Sequence, residues 1–271
     1  MQAQDERAAA LALRARASGF GHSDVAASRG LVVGWLMRGT LHLVCVEDWW
    51  WLWALTARRV GPADSAAGLV SSVLAETGPL RRPVLLERLA AKGLVLEGQA
   101  FPHLLADCCA RGDVVLTPAR EFVLAVDWVG PRPQVDRAEA LSRLGARYAA
   151  AHAGATPADL AAWSGLGIRA ARTALADVGA VGSRAQNELR QPRLLAAFDP
   201  YLLGWRDRSF AVPAELRRRA FPGGGMLRAV TLDDGLVTGT WTVPGGRVRL
   251  DVPDPHRYAA EAADVERFLR T

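Results

Sequence analysis

The stretch Trp35-Leu36-Met37-Arg38-Gly39-Thr40-Leu41-His42-Leu43-Val44 decides how this chain is read. It spells two apolar strands joined by a tight turn that carries an arginine and a glycine. Leu41 and Leu43 alternate with Thr40 and His42, the period-2 pattern of a strand with one face in a core. On that pattern Thr40 and His42 face out. Gly39 gives the turn a permissive backbone. Upstream, residues 3–18 are dominated by Ala, Leu and Arg and read as a helix closed by Gly19. Ser23 caps a short helix to about Arg29. Downstream, Glu47 and Asp48 open a helix to about Arg59, with acids placed to suit its dipole. Small helices followed by a hairpin with a cationic tip are the outline of a winged helix.

The same rhythm returns further along. Gly61-Pro62 breaks the chain. Residues 66–76, 83–92 and 98–111 read as helices, with Pro83 at a favourable first position and Gly112 closing the last. Val114–Thr117 and Glu121–Val126 then alternate around Pro118-Ala119-Arg120. Val129 to Pro133 is a linker, and residues 136–152 form an amphipathic helix. Thr156-Pro157-Ala158-Asp159 supplies an N-cap, a first-turn proline and an acid. It starts a helix to about Gly165, and a second runs from Ile168 to Val178. Helix, glycine-containing turn, helix is the helix-turn-helix pattern. From about Arg190 the character changes. Met226–Leu232, Leu236–Val243 and Arg247–Val252 are strands, separated by Asp233-Asp234-Gly235 and Pro244-Gly245-Gly246. An amphipathic helix over about Ala259–Arg270 closes the chain. The expected fold class is α+β and mainly helical. Winged-helix modules are expected at 1–60, 62–130 and 134–190, with a β-rich part at 191–271.

With 271 residues, half of them apolar, the chain can bury a sizeable core, and global disorder is excluded. The longest apolar run, Trp49 to Leu55, is too short to span a bilayer. Asp5 and Glu6 stand where a signal peptide would carry cations. Three cysteines give no disulfide framework. A cytoplasmic protein is expected, with no membrane partner. The net charge of +5 and the pI near 9.7 suit a polyanion. Lys92 is the only lysine. A GC-rich genome explains this, yet the consequence is physical. Arginine contacts phosphate and guanine through a planar fork, and few amines are left for Schiff-base chemistry.

Several residues admit two readings. Arg38, Thr40 and His42 can face DNA or be satisfied locally. Arg169 and Arg172, three apart on the second helix of the helix-turn-helix, can meet phosphate or base edges or form a solvated face. Asp199, Arg206, Asp207 and Arg208 read as a structural ion-pair cluster. In Trp49-Trp50-Trp51-Leu52-Trp53, helical spacing puts Trp49 and Trp53 on one face and at least one ring outside the main core. Packing is the preferred reading over a DNA wedge. His103 and Asp107, with Cys108 next to them, have metal-ligand spacing but lack a second pair, so no metal and no cofactor is expected. No phosphate-cradling loop and no nucleophile elbow is present.

The words "MRGTLHLV…ED", "TPADLAAWSGL" followed by "AARTAL", "FDPYLLGWRDR" (Phe198 to Arg208) and "GTWTV" occur in an order that resembles a known family. It is the bacterial winged-helix DNA-binding family that includes crosslink-unhooking DNA glycosylases of the AlkZ and YcaQ type. The resemblance covers nearly the whole chain. It implies tandem winged helices around a basic concave face and a β-rich end. It also implies a catalytic triplet, Gln-apolar-Gln or Gln-apolar-Asp followed by Asp and a helix, matched here by Gln2-Ala3-Gln4-Asp5. Members of the family have some tens of residues before the triplet. This chain begins one residue before it, through a late-assigned start or a truncation. On this resemblance Gln2 and Gln4 hold the attacking water; otherwise they are solvated terminal residues. The expected function is a monofunctional glycosylase, acting as a monomer on double-stranded DNA carrying bulky or crosslinked N7-alkylpurines. A non-catalytic DNA-binding protein and a protein-binding scaffold are the alternatives.

Overall fold

The computed structural model describes residues 1–57, 65–176, 178 and 191–271. The helix end at Arg59, the Gly61-Pro62 break and the change of character near Arg190 lie outside the described residues. Over the described residues the fold is mixed helix and antiparallel sheet, 51% helical and 16% strand. Its contacts divide it into two compact units, residues 26–140 and residues 1–25 with 141–271.

Residues 1–25 carry α1 (Glu6–Arg14) and most of α2 (His22–Ala27). Asp5 caps α1 by accepting from the Ala8 amide at 2.9 Å. Ala8 to Ala12 are all buried, so the middle of this short helix is enclosed.

The 26–140 unit is built on the two hairpins seen in the sequence. β1 (Leu31–Trp35) pairs with β2 (Leu41–Cys45), in register from Leu31↔Cys45 to Trp35↔Leu41. Next come α3 (Trp49–Thr56), α4 (Ser65–Thr77), β3 (Leu80–Arg81), α5 (Arg82–Ala91) and α6 (Ala100–Arg111). β4 (Val114–Leu116), β5 (Glu121–Leu124) and α7 (Ala125–Trp128) complete the unit. The strands form one antiparallel sheet in the order β2-β1-β4-β5-β3. The hairpins meet through Val33↔Leu116. Because β1 and β4 run antiparallel, the two hairpin tips point to opposite ends of the sheet.

The four tryptophans of α3 explain this union, and here the sequence expectation is corrected. No ring is left outside the core; all four are at most 8% exposed. Trp49 packs against Gly34, where a Cβ would come within 2.3 Å of its ring. Trp53 donates from Nε1 to the Cys109 carbonyl at 3.1 Å, and Trp50 donates to the Gly130 carbonyl at 3.2 Å. Arg132 covers the outer face of Trp53 at 3.8 Å. The helix is buried all round because the first hairpin sits on one side and α6 on the other.

In the second unit α8 (Arg137–Ala151) lies against the pair α9 (Pro157–Ser164) and α10 (Ile168–Leu175). A four-stranded antiparallel sheet of β6 (Arg193–Leu195), β7 (Val230–Asp233), β8 (Leu236–Thr242) and β9 (Arg249–Asp251) follows. α11 (Pro200–Leu203) and α12 (Arg217–Ala220) lie between β6 and β7, and α13 (Ala259–Phe268) ends the unit. Leu195, Leu202, Val212, Leu227 and Leu232 form its core cluster. The expected Asp-Gly hairpin is present, with Asp234 and Gly235 both at positive φ. β7 starts at Val230 rather than at Met226, because Met226 closes a tight bridge with Gly223 instead.

Candidate nucleic-acid interface

The first hairpin tip is a turn closed by the Thr40 amide donating to the Met37 carbonyl at 3.2 Å. Its central residues, Arg38 and Gly39, have φ of 56° and 68°. Positive φ at both central positions is the type I′ geometry that suits the twist of paired strands. Gly39 adopts it without cost, but an arginine at positive φ costs about 1–2 kcal/mol. Arg38 nonetheless stands there, exposed to solvent. Strained residues cluster at functional sites, which makes Arg38 a candidate for one. Thr40 is half-buried and donates its hydroxyl to the Met37 carbonyl at 3.1 Å, bracing the same turn.

His42 differs from its sequence reading. It does not face solvent; it is 3% exposed. Its cross-strand partner is Gly34, so the imidazole shares the face over which the Trp49 ring lies. The opposite face holds Leu43, which is also buried. With both faces covered, the period-2 pattern no longer separates core from solvent. Nδ1 lies 2.9 Å from the Thr40 carbonyl. Burial pushes the imidazole down to about 3, the Arg38 charge acts the same way, and the Thr40 carbonyl opposes. A ring neutral at physiological pH offers phosphate no charge. What it supports is the strand that carries Arg38.

The second hairpin has a matching tip that the sequence reading passed over. Arg120 has φ of 66°, and its amide donates to the Thr117 carbonyl at 3.0 Å. The signal was a non-glycine residue in a three-residue turn where glycine is the usual occupant.

The helix-turn-helix forms as its capping residues dictate. Thr156 Oγ1 accepts from the Asp159 amide, and Asp159 Oδ2 accepts from the Thr156 amide at 2.9 Å. Gly165 closes α9 at φ 76°. On α10, Ala171 and Ala174 are buried while Ile168, Arg169 and Arg172 stand out in solvent. α10 is seated tightly, since a Cβ on Gly145 of α8 would lie 1.7 Å from the Ala174 carbonyl oxygen.

Gln2-Ala3-Gln4 precedes the capped start of α1. Ala3 is fully buried, Gln2 half-buried and Gln4 exposed. The structure thus places Gln2, Gln4, Arg169 and Arg172 in one compact unit and Arg38, Thr40 and His42 in the other.

The ion-pair cluster expected of Asp199, Arg206, Asp207 and Arg208 is not what forms. Asp199 takes the guanidinium of Arg16. The Arg206 amide donates to Asp159 at 3.0 Å, Asp207 accepts from the Ser209 amide and hydroxyl, and Arg208 donates from Nε to the Leu202 carbonyl. Asp199 and Arg206 tie this segment to distant residues, which local charge spacing cannot reveal, while Asp207 and Arg208 close local bonds. Among the described residues no group of three or more His, Cys, Asp and Glu is placed to hold a metal. No helix among them is long and apolar enough to cross a membrane.

A family model described as DNA glycosylase AlkZ-like matches residues 1–270. The fold is similar to that of the Streptomyces sahachiroi DNA glycosylase AlkZ, with a TM-score of 0.73 at 22% identity over 100% of this chain and 88% of that one. No match is found among curated proteins.

Proposed function

We propose that this chain, which belongs to the AlkZ-like DNA glycosylase family, binds duplex DNA and hydrolyses the N-glycosidic bond of bulky or crosslinked N7-alkylpurines. The observation that carries the reading is the triplet Gln2-Ala3-Gln4 set directly before the Asp5-capped start of α1. Burial of Ala3 anchors the segment between the two amides. Glutamine is a weak base, but its amide can both donate to and accept from a water. An N7-alkylated purine is already cationic and leaves without an acid. The water oxygen bonds to C1′, the C1′–N9 bond breaks, and its electron pair neutralises the departing base. The water proton goes to solvent. The enzyme has to place the water and stabilise the positive charge growing at the sugar.

The winged-helix segments 1–60, 62–130 and 134–190 then serve as the DNA-binding frame, with the protein acting as a monomer. Arg38 on its strained tip and Arg169 and Arg172 on α10 meet the backbone or base edges, Thr40 and His42 hold the hairpin, and Gln2 and Gln4 hold the water. The only lysine argues for simple hydrolysis. Lys92 ends α5, and its Nζ lies 2.8 Å from both carboxylate oxygens of Glu76. A lyase would need such an amine to form a Schiff base, the N-terminal amine being the other candidate.

The test is base release from duplex containing N7-alkylguanine. Wild type should leave an intact abasic strand that breaks only in alkali or heat, and borohydride should trap no covalent adduct. Gln2→Ala with Gln4→Ala should abolish release and leave duplex affinity unchanged. Full release by that double variant would remove the triplet from the mechanism. A wild-type protein that binds duplex but releases no base would leave the non-catalytic DNA-binding reading in place.

A further inference from the structure

The helix that follows the glutamine triplet is an unusual carrier for a reacting group. α1 has nine residues, too short to hold its shape alone. Its buried stretch is Ala8, Ala9, Ala10, Leu11 and Ala12. Alanine surfaces are smooth, and interdigitating side chains that would fix a helix along its axis are nearly absent. Something else must set its position.

Two arginines at its far end do so. Arg14, with a side chain 6% exposed, reaches Glu261 at 2.6 Å and Asp264 at 2.7 Å on α13. Glu261 also takes Arg193 at 3.0 Å and the Leu194 amide at 3.1 Å, and these partners, against the burial that raises it, hold its carboxyl below the usual range. Arg16 makes the more exacting contact. Its guanidinium meets Asp199 through two parallel bonds, Nη2 to Oδ1 at 2.6 Å and Nη1 to Oδ2 at 2.9 Å. Nη1 also donates to the Ala12 carbonyl at 2.8 Å, so the fork grips its own helix and the acceptor together.

Asp199 is itself held hard. Its carboxylate is 1% exposed and caps α11 by accepting from the Tyr201 amide at 2.8 Å. The residue before it, Phe198, has φ of 59°. A bulky aromatic residue there is a true backbone outlier. This strained residue stands directly before the carboxylate that takes Arg16.

We infer that the Arg16–Asp199 pair is a positioning device for base release: it fixes α1 along its axis and so sets where Gln2 and Gln4 hold the water. This rests on the glycosylase reading above. Neither residue touches the reacting atoms.

The experiment measures single-turnover base release, duplex affinity and thermal unfolding together, on the full chain. Asp199→Asn keeps the α11 cap and loses the charge. Arg16→Lys keeps the charge and loses the fork. Both should slow release about thirtyfold or more, because small misplacements of a reacting group are costly. Duplex affinity should stay within about twofold of wild type, since phosphate contacts are untouched. Leu232→Ala, a cavity in the same unit, is the control for lost stability; it should release base at the wild-type rate well below its unfolding midpoint. Variants that unfold earlier yet release base as fast as wild type would make the pair merely structural and overturn the inference. The same follows if Leu232→Ala slows release as much as the pair variants do. A wild-type protein that releases no base overturns the glycosylase reading itself, and the positioning role with it.

Discussion

The first hairpin and the helix-turn-helix both put arginines into solvent, but they hold them in opposite ways. Arg38 sits at a backbone angle that arginine avoids, over a strand braced by Thr40 and a buried, neutral His42. Arg169 and Arg172 ride on an ordinary helix, with a capping box at its partner and no strain. The hairpin aims a charge; the helix-turn-helix supplies charge on a well-seated but conventional scaffold. Two kinds of cation in one chain suggest two kinds of contact, one fixed in geometry and one adaptable.

The seats of the two regions give the largest test. Gly145→Ala forces a Cβ into the Ala174 carbonyl, a backbone atom that cannot rotate away, and should destabilise the chain by about 3 kcal/mol or more. Gly34→Ala meets the Trp49 ring and should cost somewhat less, because a side chain can shift. Thermal unfolding of both variants ranks them, and a reversed order would break the contrast between a rigid helix seat and a yielding hairpin base.

Acid sharpens it further. His42 titrates near 3 when folded and near 6.5 when unfolded, so the unfolded chain takes the proton first. The stability is complete above about pH 6.5 and is lost as pH falls, by about 2 kcal/mol at pH 5. His152, in the other unit, is also held down, mainly by burial, and acts in the same direction. The measurement is therefore the difference in slope of unfolding free energy with pH between wild type and His42→Gln. Equal slopes would mean that His42 is not buried neutral.

A smaller effect separates aim from charge. Arg38→Asn relieves the turn and should stabilise the fold by about 1 kcal/mol. It should also weaken duplex binding about tenfold at low salt. Arg172→Ala should leave stability within about 0.5 kcal/mol and flatten the salt dependence of binding by about one ion. If Arg38→Asn stabilises without any loss of affinity, the strained tip is not a DNA contact.

Much of the fold was legible because it is local. Thr156-Pro157-Ala158-Asp159 announces its capping box, and Asp234-Gly235 its turn, within a few residues. What was not legible joins distant parts. The single pair Val33↔Leu116 fuses two hairpins more than eighty residues apart in sequence, and no local pattern encodes it. His42 was misplaced because alternation reports only one covered face, and the tryptophans of α3 cover the other. At the candidate site the residue types were readable, but the Arg16–Asp199 grip spans 183 positions and appears only in three dimensions.

The cysteines of the 26–140 unit offer a practical handle. Cys45 is exposed at the base of the first hairpin, opposite Leu31, while Cys108 and Cys109 are buried and burial holds the Cys109 thiol well up. A thiol-reactive fluorophore should therefore label the natural sequence at one place, at the foot of the strand whose far end carries Arg38. The protein arrives with its own reporter of hairpin engagement, and a titration with duplex can be read there without introducing or removing a single cysteine.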